Sequence, residues 1–141
     1  NPPGEFVVEA AGDDGQYYLS PENYARYDLF VNMVANTDPE VIAATYRRFY
    51  PVFQKTYVEI GYPDGYFNDR VIEVIDHLLL TPEPAEPILL VRPVVLYQFA
   101  DKDLEALSSG QKLLIRMGGD NAATIKQVLQ KLRALIALSS D

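Results

Sequence analysis

Tyr62-Pro63-Asp64-Gly65-Tyr66-Phe67-Asn68-Asp69-Arg70 runs directly into Val71-Ile72-Glu73-Val74-Ile75-Asp76-His77-Leu78-Leu79. The first half is turn chemistry: proline presets φ, aspartate bonds its own following backbone, and glycine admits φ above zero. The second half predicts an amphipathic helix over residues 68–80, with Asn68 or Asp69 as its cap. At 100° per residue, Asp69, Arg70, Glu73, Asp76 and His77 fall within about 120° of one another, and Val71, Ile72, Val74, Ile75, Leu78 and Leu79 take the other side. A helix that is apolar on one side needs partners to cover it, so the chain is read as a packed, mainly helical domain.

Working outward, Asp38-Pro39 opens a long helix that Gly61 ends. Ile42, Tyr46, Phe49, Phe53, Tyr57 and Ile60 give it one seam, and Pro51, which removes a backbone donor, predicts a kink near its middle. Ser20-Pro21 starts an earlier helix over residues 21–35, marked by Tyr24, Tyr27, Phe30, Val31 and Val34. Phe6–Ala10 and Gln16–Leu19 flank Gly12-Asp13-Asp14-Gly15 and predict a β-hairpin. Downstream, the prolines of Thr81–Pro87 make a stiff connector. Ile88–Val91 is a short strand expected to pair with the hairpin, and Pro93 forbids a long strand through Val94–Tyr97. Asp101 caps a helical stretch that Gly110 interrupts. Gly118-Gly119 closes it, and Asp120 caps a last helix with the stripe Ile125, Leu129, Leu132, Ile136.

The fold class expected is therefore α+β, predominantly α, with about five to six helices in an irregular bundle and a small antiparallel N-terminal hairpin or sheet. Residues 1–5 read as a disordered or linker end and 6–141 as one globular domain. Within it, 6–19 form the hairpin, 20–80 three helices, 81–99 the Pro-rich connector with a short extended segment, and 100–138 the C-terminal helices.

Charge and composition exclude several function classes. Twenty acidic against twelve basic residues give a net charge of −8, which repels a phosphate backbone and an anionic bilayer. Neither nucleic acid nor lipid head groups are expected as partners. The acidity is uneven: residues 1–40 carry eight carboxylates against Arg26, whereas residues 101–141 carry five against six cations, with Lys126, Lys131 and Arg133 read as the solvated face of the last helix. With no cysteine, thiolate zinc sites and cysteine nucleophiles are ruled out. With a single histidine, an H-E-x-x-H zinc site is ruled out too. Neither Asp13-Asp14-Gly15 nor Asp64–Asp69 matches a calcium loop, so no metal and no cofactor is expected. Leu107–Lys112 is superficially similar to a transporter-ATPase signature loop, but the chain has no G-x-x-x-x-G-K-[ST] loop to complement it. That stretch reads as a glycine hinge with Gln111 and Lys112 exposed.

The candidate binding residues are Tyr62, Asp64, Tyr66, Phe67, Asn68, Asp69, Arg70 and His77. Aromatic rings around a turn, beside fixed polar groups, suit a lip on which a sugar, peptide or partner side chain packs. The competing reading folds the rings back onto the helices, with Arg70 clamping the loop. Glu73 lies three residues after Arg70 and four before His77, so both cations can reach one carboxylate. The helix face is thus either a set of solvated ion pairs or an acid/base constellation built on Asp69, Glu73 or Asp76 beside His77. No catalytic residue is assigned.

Tyr46-Arg47-Arg48-Phe49-Tyr50-Pro51, Gly61 to Arg70, Ile72–Leu79 with Thr81-Pro82-Glu83-Pro84, Leu96-Tyr97, and Leu107 to Gly118 resemble a bacterial family known as domain of unknown function number 3014. The resemblance covers most of the chain, roughly from Tyr24 to the last helix. It implies a proteobacterial protein whose upstream part carries a single membrane anchor and a proline-rich linker, with this domain on the periplasmic side of the inner membrane. It transfers no catalytic residues. The start at Asn1-Pro2-Pro3-Gly4 agrees with an internal fragment, the membrane being reached only through that upstream segment.

The function expected is a non-enzymatic envelope module that binds a protein or glycan. The alternatives are a hydrolase acting on an envelope polymer and a structural scaffold or oligomerisation domain.

Overall fold

The computed structural model describes residues 3–12 and 15–137. Asn1 and Pro2 of the expected linker end, Asp13 and Asp14 of the hairpin loop, and the tail from Leu138 lie outside the described residues. The protein is α+β and predominantly helical. Its described elements are β1 (Val8–Ala10), β2 (Gln16–Leu19), α1 (Glu22–Ala35), α2 (Pro39–Glu59), α3 (Phe67–Leu79), β3 (Leu89–Val91), β4 (Gln98–Phe99), α4 (Lys102–Glu105), α5 (Ser109–Arg116) and α6 (Gly119–Ala137). They fall into two compact units: Asn1–Val31 with Thr81–Ala123, and Asn32–Leu80 with Thr124–Asp141.

The first unit is built on a four-stranded antiparallel sheet in the order β1-β2-β3-β4. Tyr17 sits opposite Leu90, and Leu90 opposite Phe99. Side chains alternate across a strand, so Leu90 and Phe99 are delivered to one face, where they pack with Leu19, Ile88 and Ile115. The pairing of Ile88–Val91 with the hairpin was readable. The two-residue β4 was not, because it is held from outside its own segment: the Phe99 N–H donates to Glu105 Oε2 at 2.9 Å. Glu105 also takes Lys112 Nζ at 2.8 Å, so one carboxylate joins the sheet edge to α5.

Three local expectations are corrected here. Ser108, not Gly110, marks the break before α5, through a reciprocal capping box with Gln111, and Gly110 lies inside the helix. Gln111 is accordingly buried and Lys112 half-buried in its pair with Glu105. Helix α6 begins at Gly119, which puts Asp120 in its first turn, where a negative charge suits the helix dipole. Gly118 has a second reason to be glycine besides its φ of +87°: a Cβ there would come within 2.6 Å of the Tyr24 ring. Asn23, which sequence reading passed over as an ordinary helix residue, is 1% exposed. It accepts from the Val7 N–H at 3.0 Å and donates to the carbonyls of Val7 and Ser20, fastening the chain before β1 to the start of α1.

The second unit pairs α2 with α3 and the later part of α6 around Ala43, Ile75 and Ile136. Helix α2 continues through Pro51. Its buried face differs from the expected seam: Ala43 is fully buried, Tyr46, Tyr50, Gln54 and Tyr57 are half-buried, and Phe49, Phe53 and Ile60 are exposed. These two adjacent faces are centred about 80° apart around α2, and a period of 3.6 does not say which one meets the neighbour. Arg133, expected among solvated cations, forms a bidentate pair with Asp76 of α3 through Nε to Oδ1 and Nη2 to Oδ2.

Lys112 first, with the Phe99 N–H and Arg116, holds the Glu105 carboxyl below its ordinary value of 4.5, against the opposing effect of its burial. A depressed folded-state pKa contributes stability that is present above the unfolded value and is lost as pH falls through the folded one. Urea unfolding followed from pH 7 downward should therefore show stability falling below about pH 4.5, with Glu105→Gln giving a lower plateau at neutral pH and a shallower acid slope.

Candidate functional site

Gly61, at φ +117°, ends α2 and reverses the chain. The Tyr62 N–H donates to the Tyr57 carbonyl at 3.3 Å, and the Gly65 N–H closes the Tyr62–Gly65 turn on the Tyr62 carbonyl at 3.2 Å. Gly65 is required for closeness and not for a positive φ: a Cβ there would meet Tyr57 Cε1 at 3.1 Å. Tyr66 then takes the N-cap position of α3 with an extended backbone and no side-chain cap bond. Neither Asn68 nor Asp69 caps the helix, contrary to expectation.

The cap comes from another helix. Gln54 of α2 donates Nε2 to the Gly65 carbonyl at 2.8 Å, and its Oε1 accepts the Phe67 N–H at 2.8 Å and the Tyr50 hydroxyl at 3.1 Å. One primary amide thus clamps the turn and satisfies a free N–H at the start of α3. Arg70, the expected clamp, instead pairs with Glu73 one turn along α3 at 2.7 Å, with both side chains exposed. Sequence reading missed Gln54: its spacing, four after Tyr50 and three before Tyr57, puts it beside two tyrosines, but only the packing of α2 shows that this face turns inward.

The eight expected binding residues separate into two that turn inward, five exposed at the turn, and His77 apart from it. Phe67 turns inward, its ring 5.5 Å from Phe53, 5.7 Å from Tyr57 and 6.5 Å from Tyr46. Asn68 is 8% exposed; it accepts from the Tyr46 hydroxyl at 3.0 Å and donates to the Ile136 carbonyl at 3.3 Å. Burial first, then Tyr50, pushes the Tyr46 phenol up to about 12, so it remains a proton donor to Asn68 at neutral pH. These two residues hold the framework. Outside it, Tyr62 is 53% and Tyr66 67% exposed, and Asp64, Asp69 and Arg70 are exposed beside them. The Tyr62 ring lies flat on Tyr57, centroids 4.5 Å apart and planes 7° apart, which fixes an exposed aromatic surface in place. His77 is exposed in the last turn of α3, about 10 Å along the axis from Arg70 at 1.5 Å per residue, and so stands apart from the turn.

Two of the three α3 carboxylates, Glu73 and Asp76, are engaged in ion pairs, and Asp69 is exposed. Arg133 holds Asp76 below its usual range by hydrogen bonds and charge, the opposite of what a general acid needs, and Glu73 faces Arg70.

Residues 1–133 match the family described as "Protein of unknown function (DUF3014)", and the chain belongs to that family. Neither the curated proteins nor the solved structures offer a match.

Replacing Gln54 by Ala strips partners from the Gly65 carbonyl and the Phe67 N–H and should cost about 2 kcal/mol in urea unfolding. Arg70→Ala, which removes only an exposed ion pair, should stay within about 0.5 kcal/mol of the parent. Equal losses would reassign the clamp.

Proposed function

We propose that the protein is a non-enzymatic binding module of the cell envelope. Tyr62, Asp64, Tyr66, Asp69 and Arg70 meet a protein or glycan partner, and Phe67 and Asn68 hold that surface in shape. The observation that carries this reading is the flat Tyr57–Tyr62 stack beside the exposed Tyr66 ring and Arg70. Rigid aromatic surface with a guanidinium nearby is the composition of binding hot spots, since little side-chain entropy remains to be lost on association. The tether belongs to the proposal as well: no helix of the described residues is long and apolar enough to cross a membrane, so an upstream anchor would supply it.

The hydrolase alternative gains no support from α3, whose Asp76 and Glu73 are paired with cations. The scaffold alternative does have an observation in its favour. Val41, Phe49, Val52, Phe53 and Ile60 are all exposed and fall within about 120° on α2, an apolar stripe of the kind that marks protein association.

Immobilised domain should retain a specific component of solubilised envelope, and the Tyr66→Ala/Arg70→Glu double variant, with an unchanged melting temperature, should lose it. Retention of the same component by both would sink the lip. In sedimentation equilibrium, a scaffold role predicts dimer or higher species that Val52→Glu dissociates, whereas a monomer at tens of micromolar would remove that reading.

A further inference from the structure

A cavity of about 510 Å³ opens in the first unit, remote in sequence from the lip. That is within the range of small-molecule sites, roughly 300–1,000 Å³. Its walls combine two kinds of chemistry. Phe6, Leu90, Leu96 and Tyr97 supply apolar and aromatic surface, and Arg26 and Arg116 supply two guanidiniums. Phe6 and Tyr97 pack ring against ring at 5.6 Å, and Tyr97 meets Tyr17 edge-on at 5.2 Å, so this wall is preformed. Arg26, also in the lining, donates Nε to the Pro3 carbonyl at 2.9 Å, Nη1 to Asn23 Oδ1 at 3.2 Å and Nη2 to the Gly4 carbonyl at 3.1 Å, which holds its guanidinium in place. Arg116 is half-buried over the Phe99 ring at 5.4 Å and forms no ion pair among the described residues.

Two arginines facing one apolar space are unusual in a chain of net charge −8. An anion that meets these guanidiniums in a partly desolvated space gains charge-assisted hydrogen bonds and an attraction stronger than in bulk water. Leu96, 77% exposed on the segment between β3 and β4, is apolar surface that an aliphatic body would cover. From this charge complementarity we infer that the cavity binds a small aliphatic carboxylate, with the carboxylate at Arg116 and Arg26 and the chain against Phe6, Leu96 and Tyr97. The site is independent of the lip and of the function proposed for it.

Decanoate below its micelle concentration is the probe, with decanol and acetate as the headless and tailless controls, in amide-resolved NMR titrations of the whole domain. Saturable shifts clustered at Phe6, Leu96, Tyr97 and Arg116 are expected with decanoate, at least tenfold weaker binding with decanol, and none with acetate. Arg116→Met should weaken decanoate at least tenfold. Because Arg116 also covers Phe99, Leu96→Asp on the exposed segment serves as the second variant: it should fold as the parent does and lose decanoate binding. The inference is overturned by diffuse or non-saturating shifts, by decanol binding as tightly as decanoate, or by a folded Leu96→Asp that binds like the parent.

Discussion

The side-chain amide of Gln54 is the constraint on which the second unit's surface depends. Without it the Tyr62–Gly65 turn would have only its own backbone bonds, and α3 would begin with an unsatisfied N–H beneath an aromatic cluster. Because the amide both donates and accepts, it fixes the carbonyl of Gly65 and the N–H of Phe67 together. The spacing of those two groups sets where Tyr66 leaves the surface and where Phe67 enters it. The stacked Tyr57–Tyr62 rings are a consequence: Gly65 lies so close to Tyr57 that no side chain fits between them.

The same logic of paired and unpaired groups separates the charges that build the protein from those left for other work. Glu105 with Lys112 ties neighbouring elements together, Asp76 with Arg133 joins helices 57 residues apart, and in both pairs the charges are matched at hydrogen-bond range. Arg70 and Glu73 neutralise one another at the surface, where the gain is small and geometry remains adaptable. Arg116 belongs to neither group. It is half-buried against Phe99, influences the Glu105 carboxylate, and forms no ion pair among the described residues. Such a group is stable enough to persist, and its remaining affinity is directed at anions.

Much of the fold was legible from residue chemistry. The hairpin, the prolyl helix starts, the glycine stop at Gly61 and, apart from the exposed Val74, the apolar face of α3 appear where local signals put them, because φ preferences, capping and period act over a few residues. Helix α2 marks where that legibility ends. Its apolar residues cover two adjacent faces, and the core made with α3 and α6, together with Phe67 and Tyr62 delivered by the turn, decides that Tyr46, Tyr50, Gln54 and Tyr57 go inside while Phe49 and Ile60 stay out.

The sequence by itself therefore determined the hairpin, the first three helices and the last one in their order, the acidic character and the presence of an aromatic turn beside Arg70, but not β4 or the break at Ser108. Tertiary structure alone decided which polar groups hold the turn, that Phe67 and Asn68 belong to the framework and Tyr62 and Tyr66 to the surface, and that Arg26 and Arg116 share a cavity. The physical reason is range. Backbone preference and helical period are set by neighbours within about four residues, whereas a side-chain amide finding a carbonyl eleven positions away, or two guanidiniums ninety positions apart facing one space, exists only after the chain has packed.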